Sequence, residues 1–268
     1  MTPELLIGAD PELFLREKGL LVSAHTLLPG SKQYPHEVPL GAVQVDGTAA
    51  EFNITPAACE DEFVLHISQV LGTLQEMLKP GVELDISPVA EYPEEYMSSL
   101  PGYVKKLGCD PDFNAYTKDA NPKPNEHPTM RTAAGHIHVG WGKDLDTRDW
   151  KHFEACCVLA KQMDFWVGLP STILDPDTKR KQMYGKAGAF RPKRYGMEYR
   201  VASNWWLKDS GTMRLVYSNT KWAFNTLNDG IMLCQEHGDV ARDIINNNQV
   251  DEAKKLCDKL DIPYWPLV

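Results

Sequence analysis

The sequence predicts an α+β fold in which a curved, mostly antiparallel sheet carries long helices packed on one face. Segments with strand character come in groups, and amphipathic helical segments separate these groups. Too few helices lie between the strands for a regular parallel βαβ alternation. An antiparallel sheet of this kind buries one face under helices and leaves the other face free to be polar.

Five segments have the alternation and composition of strands, with Gly, Pro, Asn or Asp at their boundaries. They are residues 4–15, 40–54, 82–91, 134–141 and 196–206. The first consists of two short extended pieces around Asp10-Pro11, and the second is broken near Asp46-Gly47. These segments supply the strands of the predicted sheet.

Three longer segments have apolar residues at helical spacing. The first lies between Thr55-Pro56 and Pro80-Gly81, which are start and stop signals for a helix. The second begins at Thr147, and the third extends from about Gly211 to His237, followed by two short helical pieces. We expect these helices to cover the apolar face of the sheet.

Two segments lack a regular apolar period and are predicted as active-site loops. Residues 101–130 are rich in Pro and Asn, and residues 177–197 combine glycines with basic side chains. Long loops in compact domains are usually functional or mobile, and we predict that the second one is a mobile basic lid. We predict one domain over residues 1–268, with the C-terminal helices in 208–268.

Composition narrows the classes of function. The chain has 268 residues, a formal net charge of -9 and a pI near 5.4, which disfavours nucleic acid and anionic membranes as partners. It lacks an apolar run of membrane-spanning length and a basic N-terminal start. The six cysteines show no CxxC spacing and are predicted to be free thiols in a reducing cytoplasm. The oligomeric state is left open.

Polar pairs recur on the predicted strands. Residues two apart in a strand face the same way. The pairs are Asp10 with Glu12, Glu51 with Asn53, His136 with His138, and Glu198 with Arg200, and Asp46 is an extra acid. Crowded carboxylates repel one another unless a cation lies between them, and oxygen ligands with an added imidazole suit magnesium or manganese. We favour a metal site over a solvated polar face, although either histidine alone fits a hydrogen-bonded core residue.

A basic cluster precedes the last of these strands. Its members are Lys179, Arg180, Lys181, Lys186, Arg191, Lys193, Arg194 and Arg200, and no acidic residue occurs from Thr178 through Met197. Guanidinium groups bind phosphate or carboxylate in a bidentate manner. The alternatives are a solvated loop, or a nucleic-acid patch that stacks bases on its aromatic residues. Because the cluster leads directly into Glu198, we favour an anion, such as a polyphosphate, held beside the metals.

Four motifs in fixed order resemble a known enzyme superfamily. The motifs are "ADPELFL", "DGTAAEFN", "AGHIHVGW" and "YGKAGAFRPKRYGMEYR". They resemble the carboxylate-amine ligase superfamily, which includes glutamine synthetase and glutamate-cysteine ligase, and more closely its compact phage-type (type 2) members. The resemblance covers about residues 5–207. The chain is too short for the extra N-terminal domain of glutamine synthetase and lacks a clear counterpart of its ammonium-binding loop.

The resemblance implies a glutamine synthetase catalytic-domain-like fold and an ATP-dependent ligase that forms an amide or peptide bond through an acyl phosphate. It implies ATP and Mg²⁺ (or Mn²⁺) as cofactors, a small-molecule or peptide carboxylate and an amine as substrates, and the host cytoplasm as location if the protein is phage-encoded. It implies metal-binding roles for Asp10, Glu12, Glu51, His136 and Glu198.

The remaining predicted roles concern catalysis and the nucleotide. The predicted catalytic residues are Glu51, Arg191, Arg194 and Arg200, and the predicted nucleotide-binding residues are His138, Arg180, Lys186 and Arg194. Two alternatives stay open: a metal-dependent hydrolase or isomerase that uses the histidines and carboxylates without nucleotide, and an inactive ligand-binding module. The sequence does not identify the acid or the amine.

Overall fold

The computed structural model describes residues 5–106, 112–122, 127–175 and 177–265. In these residues the chain has the predicted α+β architecture, with a large sheet whose strand ladders are all antiparallel. The strands are β1 Leu6–Glu17, β2 Leu20–Val22, β3 His36–Val38, β4 Gly41–Asp46, β5 Ala49–Ile54, β6 Val82–Asp85, β7 Val89–Glu91, β8 Phe113–Asn114, β9 Met130–Thr132, β10 Gly135–Gly140, β11 Ala189–Lys193 and β12 Gly196–Tyr199.

The main sheet has the order β3-β4-β5-β1-β10-β12-β11-β8. The long strand β1 lies at its centre, pairing with β5 and β10 along one part and with β2 and β6 near its C-terminal end. The strands β7 and β9 form a separate two-stranded sheet. This order brings the polar pairs of β1, β5, β10 and β12 onto adjacent strands.

The helices follow from apolar periodicity and local caps. They are α1 Glu60–Met77, α2 Glu94–Ser99, α3 Gly102–Lys105, α4 Trp150–Met163, α5 Leu169–Leu174, α6 Lys179–Met183, α7 Ser210–Asn228, α8 Leu233–Asn246 and α9 Val250–Lys259. The Asp149 side chain caps α4 by accepting a hydrogen bond from the Lys151 N–H, and Asp209 with Thr212 forms a capping box on α7. Residues Asp164–Gly168 form a π-helical turn between α4 and α5.

The core lies between the sheet and the long helices. Alternate residues such as Ile7, Ile137, Val139 and Tyr199 are fully buried there, while their neighbours in the strands face the opposite side. Helix α1 contacts β4 and β5, α4 contacts β11 and β12, and α7 packs on both helices. A smaller apolar cluster around Phe14 and Tyr92 includes α2 and α3 and covers part of the polar face.

The structure corrects three predicted elements. The helix predicted over 211–237 is two helices, because Gly230 has φ +80° and ends the helical path between α7 and α8. The strand predicted over 196–206 ends at Tyr199, and Asn204–Lys208 form a 3₁₀ turn capped by the Ser203 side chain.

The third correction concerns the predicted loops. Residues 177–197 contain α6 and β11, and Arg180 and Lys181 are only 2% and 6% exposed, so this part of the segment is anchored to the core rather than open as a lid. Residues 101–130 contain α3 and β8, and their parts 107–111 and 123–126 lie outside the described residues.

In the described part of the chain, no helix combines the length and apolarity needed to cross a membrane. The five described cysteines are free thiols, as predicted, and Cys109 lies outside the described residues.

Candidate active site

The polar face of the sheet forms the floor of a cavity of about 280 Å³. Residues from 104–106 and 130–132 and from the end of α6 form its walls. Charged side chains dominate the lining: the acids are Asp10, Glu12, Asp46 and Glu51, and the bases are Lys32, Lys106, Arg131, Arg191, Lys193 and Arg200. Acids are grouped at one end of the cavity, with Lys32 beside them, and bases are grouped at the other end around Glu198, so the two ends are described in turn.

The carboxylate end consists of Glu12, Asp46 and Glu51. Glu12 of β1 pairs in register with Glu51 of β5, and Asp46 ends the adjacent strand β4. Their carboxylate oxygens lie within 4.8 Å of one another. Glu51 is 6% exposed, and its buried Oε2 accepts no hydrogen bond. Carboxylates from three neighbouring strands therefore lie close together.

Burial and mutual repulsion shift the acidity of these groups. Burial, reinforced by the charge of Asp46, raises the pKa of Glu12 to about 7. Burial and the charges of Asp10 and Glu12 raise the pKa of Glu51 well above its usual value. The Lys32 ammonium lies 2.6 Å from Asp46 Oδ2 at the rim of the group. The Ala134 N–H, which donates to Glu12 Oε2 at 2.9 Å, and the charges of Lys32 and Arg200 offset part of this effect, but the pKa of Glu12 and that of Glu51 stay raised.

Asp10 lies next to this end, between the two histidines of β10. Its Oδ1 is 3.1 Å from His136 Nδ1 and 3.1 Å from His138 Nε2. Burial acts to raise the pKa of Asp10, but electrostatic attraction by His138 and His136, together with hydrogen bonds to these side chains, outweighs it and holds the pKa well below its usual value. Burial and the nearby Arg200 lower the pKa of His136 well below its usual value, which favours a neutral imidazole.

The cation end is built around the fully buried Glu198 of β12. Lys193 Nζ lies 2.7 Å from its Oε2, Arg191 Nη1 lies 3.4 Å from both carboxylate oxygens, and Arg200 Nη1 contacts its Oε1. Arg200 also donates from Nε to Asp112 Oδ2 at 3.1 Å. In contrast to Glu51, the Glu198 carboxylate is surrounded by positive charge.

The donor sets fit divalent cations. Glu12, Asp46 and Glu51 offer oxygen ligands only, which suits Mg²⁺, and the unpartnered Oε2 of Glu51 is an acceptor in need of a cation or donor. Asp10, His138 and Glu198 form a second group within 4.8 Å, whose imidazole also suits Mn²⁺. Glu198 joins such a site only if its bonds to Lys193 and Arg191 loosen, because the same oxygens serve both.

Most of the predicted site residues meet in this cavity. Asp10, Glu12, Glu51, His136, Arg191 and Arg200 line it, and His138 and Glu198 contact the lining residues directly. Arg180 is buried beside the cavity, where it donates to the Val201 carbonyl and lies 5.2 Å from the centre of the Tyr184 ring.

Two predicted residues lie elsewhere. Lys186 and Arg194 are exposed and are not among the residues that line the cavity. Arg194, in the turn between β11 and β12, pairs with Asp144 on the surface. Their predicted contacts with nucleotide require a ligand that extends beyond the cavity.

Sequence reasoning missed several lining residues. Lys32 reaches the site because Ser31 forms a bridge with Val45, a contact between distant segments that no spacing indicates. Arg131 is 7% exposed and donates to the carbonyls of Lys105, His127 and Met130, so it joins the two walls. A signal for Arg131 was present in the sequence, since an arginine four residues before the predicted histidine strand reaches Gly135 is close enough to that strand to be expected near the site.

One comparison with known proteins matches the part of the chain that contains two strands of this site. Residues 131–237 match the family model described as "Phage phiEco32-like COOH.NH2 ligase-type 2". The match includes the histidine strand and the strand of Glu198 and Arg200, whereas the acids of β1, β4 and β5 lie outside it.

A solved structure described as "Crystal structure of novel glutamine synthase homolog" is similar at 12% identity and a TM-score of 0.34. The alignment covers 96% of this chain and 66% of that one, so the chain spans about two thirds of its length. No curated protein sequence matches the chain. The predicted resemblance to compact phage-type carboxylate-amine ligases is confirmed by the family-model match, which covers the histidine strand and the strand of Glu198.

Proposed function

We propose that the protein is an ATP-dependent carbon-nitrogen ligase that joins a carboxylate to an amine through an acyl phosphate. The observation that carries the proposal is the separation of charge within one cavity. Oxygen ligands suited to Mg²⁺ gather at Glu12, Asp46 and Glu51, and anion-binding groups gather at Arg191, Lys193 and Arg200. A magnesium-bound polyphosphate matches both ends at once.

The chemistry needs such a charge arrangement because a carboxylate is a weak electrophile. An oxygen of the substrate carboxylate attacks the γ-phosphorus of ATP, the bond from that phosphorus to the bridging oxygen breaks, and ADP leaves. The amine nitrogen then attacks the acyl carbon, the carbon-oxygen bond to phosphate breaks, and the nitrogen loses a proton to form the amide. Both steps spread negative charge over phosphoryl oxygens, which positive groups stabilise.

The residues take roles according to their end of the cavity. Glu12 and Glu51 with Asp46, and Asp10 with Glu198, would hold divalent cations, which neutralise phosphate charge when bound. Arg191 and Arg200 would bind the transferred phosphoryl group or the substrate carboxylate. Arg180, whose guanidinium lies against the Tyr184 ring, would add positive charge near the nucleotide. His138 would lie beside the phosphates. Lys186 and Arg194 would contact only parts of a nucleotide outside the cavity.

Trapping of the acyl phosphate tests this proposal. The protein is incubated with ATP, Mg²⁺, pools of candidate carboxylates and hydroxylamine as a general amine. We expect ADP release together with a hydroxamate, and a loss of about 100-fold or more in both products for Glu51→Gln. The exposed Glu76→Gln on α1 is a matched control that should keep wild-type rates.

Each outcome separates the candidate functions. ADP release and hydroxamate formation that both depend on Glu51 support the ligase. Metal-dependent turnover of a substrate without ADP release would establish the hydrolase or isomerase instead. Absence of Mg²⁺ and ATP binding in calorimetry would reduce the protein to a binding module and overturn the proposal.

A further inference from the structure

Arg200 is held between two acids that come from different parts of the chain. Its Nη1 contacts Oε1 of Glu198, which lies two residues earlier in the sequence. Its Nε donates a hydrogen bond to Asp112 Oδ2 at 3.1 Å, and Asp112 lies 88 residues earlier. The side chains of Arg200 and Asp112 are buried, at 5% and 10% exposure. Because two such contacts fix the plane of a guanidinium group, its direction in the cavity depends on where Asp112 lies.

The loop that carries Asp112 is attached to the first residues of β11. The Asn121 N–H donates to the Asp112 carbonyl at 2.8 Å, which closes the loop. Strand β8 within this loop pairs with β11, and the Ala115 N–H donates to the Gly188 carbonyl at 2.8 Å. Asp112 therefore keeps its place relative to Arg200 as long as this loop stays on β11.

Asp164 joins the same loop to β12 from the helix-covered face of the sheet. It lies in the π-helical turn after α4 and is fully buried. Its Oδ2 accepts a hydrogen bond from the Tyr116 hydroxyl at 2.8 Å, and its Oδ1 accepts from the Tyr199 hydroxyl at 2.7 Å and from the Gly188 N–H at 3.1 Å. Tyr116 belongs to the loop, and Tyr199 directly precedes Arg200. One carboxylate thus fixes the loop relative to the strand that leads to Arg200.

The surroundings of Asp164 favour one defined geometry. Asp164–Gly168 is a π-helical turn, a rare irregularity that is frequent at functional sites. A Cβ at Gly168 would lie 2.9 Å from the Tyr199 hydroxyl and 3.5 Å from Asp164 Oδ1, so glycine leaves room for the hydrogen bond between them. Burying an ionised carboxylate costs free energy that apolar packing of the same space would not cost. Its three hydrogen bonds offset this cost only while the two tyrosines and Gly188 keep their positions.

We propose that Asp112 and Asp164 are positioning residues for Arg200. Asp112 orients the guanidinium directly, and Asp164 holds the segments of Asp112 and Arg200 together from the helix-covered face. The proposal deepens the proposed function and rests on it, because it assumes that Arg200 binds the transferred phosphoryl group or the substrate carboxylate. A displacement of about 1 Å at such a group costs about 100-fold in rate, so a residue outside the cavity can control turnover.

The first measurement reports how firmly Arg200 is held, without substrate, metal or nucleotide. NMR of ¹⁵N-labelled arginine observes its Nε–H group, which exchanges slowly with water while it donates to Asp112, and Arg200→Lys assigns the signal. We expect exchange at least about 10-fold faster in Asp112→Ala, because a charge-assisted hydrogen bond is lost. Asp164→Asn and Tyr116→Phe should accelerate it less. Asp119→Ala is the matched control, because Asp119 lies exposed in the same loop.

The second measurement separates turnover from nucleotide binding. Hydroxamate formation gives kcat and KM, and calorimetry with Mg²⁺ gives ATP affinity. We expect Asp112→Ala to lower kcat about 10- to 100-fold while ATP affinity stays within about threefold of wild type, because Arg200 is still present but misplaced. Asp112→Asn retains an acceptor oxygen and should recover part of the rate. Asp164→Asn and Tyr116→Phe should lower kcat about 3- to 10-fold, and the Asp119→Ala control should match wild type.

Two results would overturn the proposal: kcat within about twofold of wild type in Asp112→Ala, or a lower kcat with unchanged exchange at Arg200 Nε, which indicates a structural role only. If Asp164→Asn does not fold, Tyr116→Phe, which removes a single hydroxyl, decides the role of Asp164. If the wild-type protein forms no hydroxamate with any carboxylate, the proposed function fails, whereas the exchange measurement still tests whether the two acids hold Arg200.

Discussion

The two ends of the cavity use the same residue type in opposite electrostatic settings. At the carboxylate end, Glu51 is buried among other acids, and one of its oxygens lacks a partner. At the cation end, Glu198 is buried among Arg191, Lys193 and Arg200. In the metal-free protein the first glutamate is therefore a source of repulsion, and the second is the centre of an ion-pair network. Equal burial does not mean equal availability for a cation.

Because of this difference, we expect Glu51 to contribute mainly to cation affinity and Glu198 mainly to the free energy of unfolding. A carboxylate that repels its neighbours stores free energy that a bound cation releases, so its contribution appears as affinity. A carboxylate that already neutralises three basic side chains contributes to the stability of the metal-free fold. The sheet places both kinds on one face, within reach of one bound metal-polyphosphate.

The largest expected effect is the contrast between Glu198→Gln and Glu51→Gln. Loss of the Glu198 charge leaves three basic groups without their common partner, and breaking a buried network from one side costs about 3–5 kcal/mol. Glu51→Gln removes repulsion and should leave stability unchanged or slightly higher. Urea denaturation without metal measures both free energies of unfolding.

A control variant and one contradicting outcome complete this test of the free energies of unfolding. Glu76→Gln, exposed on α1, should unfold like wild type. The polar spacing alone predicts that removing either glutamate leaves the fold intact, since carboxylates were expected to face one another. Equal stability of the two variants would favour that simpler view and remove the distinction between the ends.

A second expectation concerns pH and follows from the carboxylate end. The pKa of Glu12 is raised from 4.5 to about 7, so the folded state holds a proton that the unfolded state has released. Stability of the metal-free protein should therefore fall as pH rises from about 4.5 to 7, by on the order of 2–3 kcal/mol. Glu51, whose pKa is also raised, adds to this trend.

Thermal unfolding of wild type and Glu12→Gln between pH 5 and pH 8 checks the expectation. The variant should lose much of the pH slope, and saturating Mg²⁺ should stabilise wild type more at pH 8 than at pH 5, because protons and the cation compete for the same oxygens. A wild-type protein that gains stability over this range without metal would show that the carboxylates are compensated by groups other than a cation.

The sequence was sufficient for the strands β1, β4, β5 and β10 and for the polar pairs, because both depend on local alternation. Asp10 with Glu12 and His136 with His138 follow from a period of two, and the structure puts both pairs on adjacent strands. Local alternation could not predict which residues from distant parts of the chain contact the site. The burial of Arg180 depends on a carbonyl 21 residues later, and the contact of Lys32 with Asp46 depends on a bridge between separate segments.

Charge alone also misjudged the basic segment. The seven basic residues of 177–197 suggested one mobile lid, but the strand β11 within this segment alternates between core and cavity, so its residues differ in environment. Phe190 is buried in the core, Arg191 and Lys193 face Glu198, and Arg194 lies in the exposed turn. Position on the strand, rather than basic character, decides which of these residues belongs to the site.

The smallest expected effect tests that distinction with Arg194→Ala and Arg191→Ala. The Arg194 side chain is 74% exposed and its partner Asp144 is 80% exposed, so solvent screens the pair and its loss should change stability by less than about 0.5 kcal/mol. ATP affinity, measured by calorimetry with Mg²⁺, should stay within about twofold of wild type for Arg194→Ala. It should fall about 10-fold for Arg191→Ala, because a charge-assisted bond to phosphate is lost. If Arg194→Ala weakens ATP as much as Arg191→Ala does, the nucleotide extends over the β11–β12 turn, and the cation end is larger than the cavity that Glu198 borders.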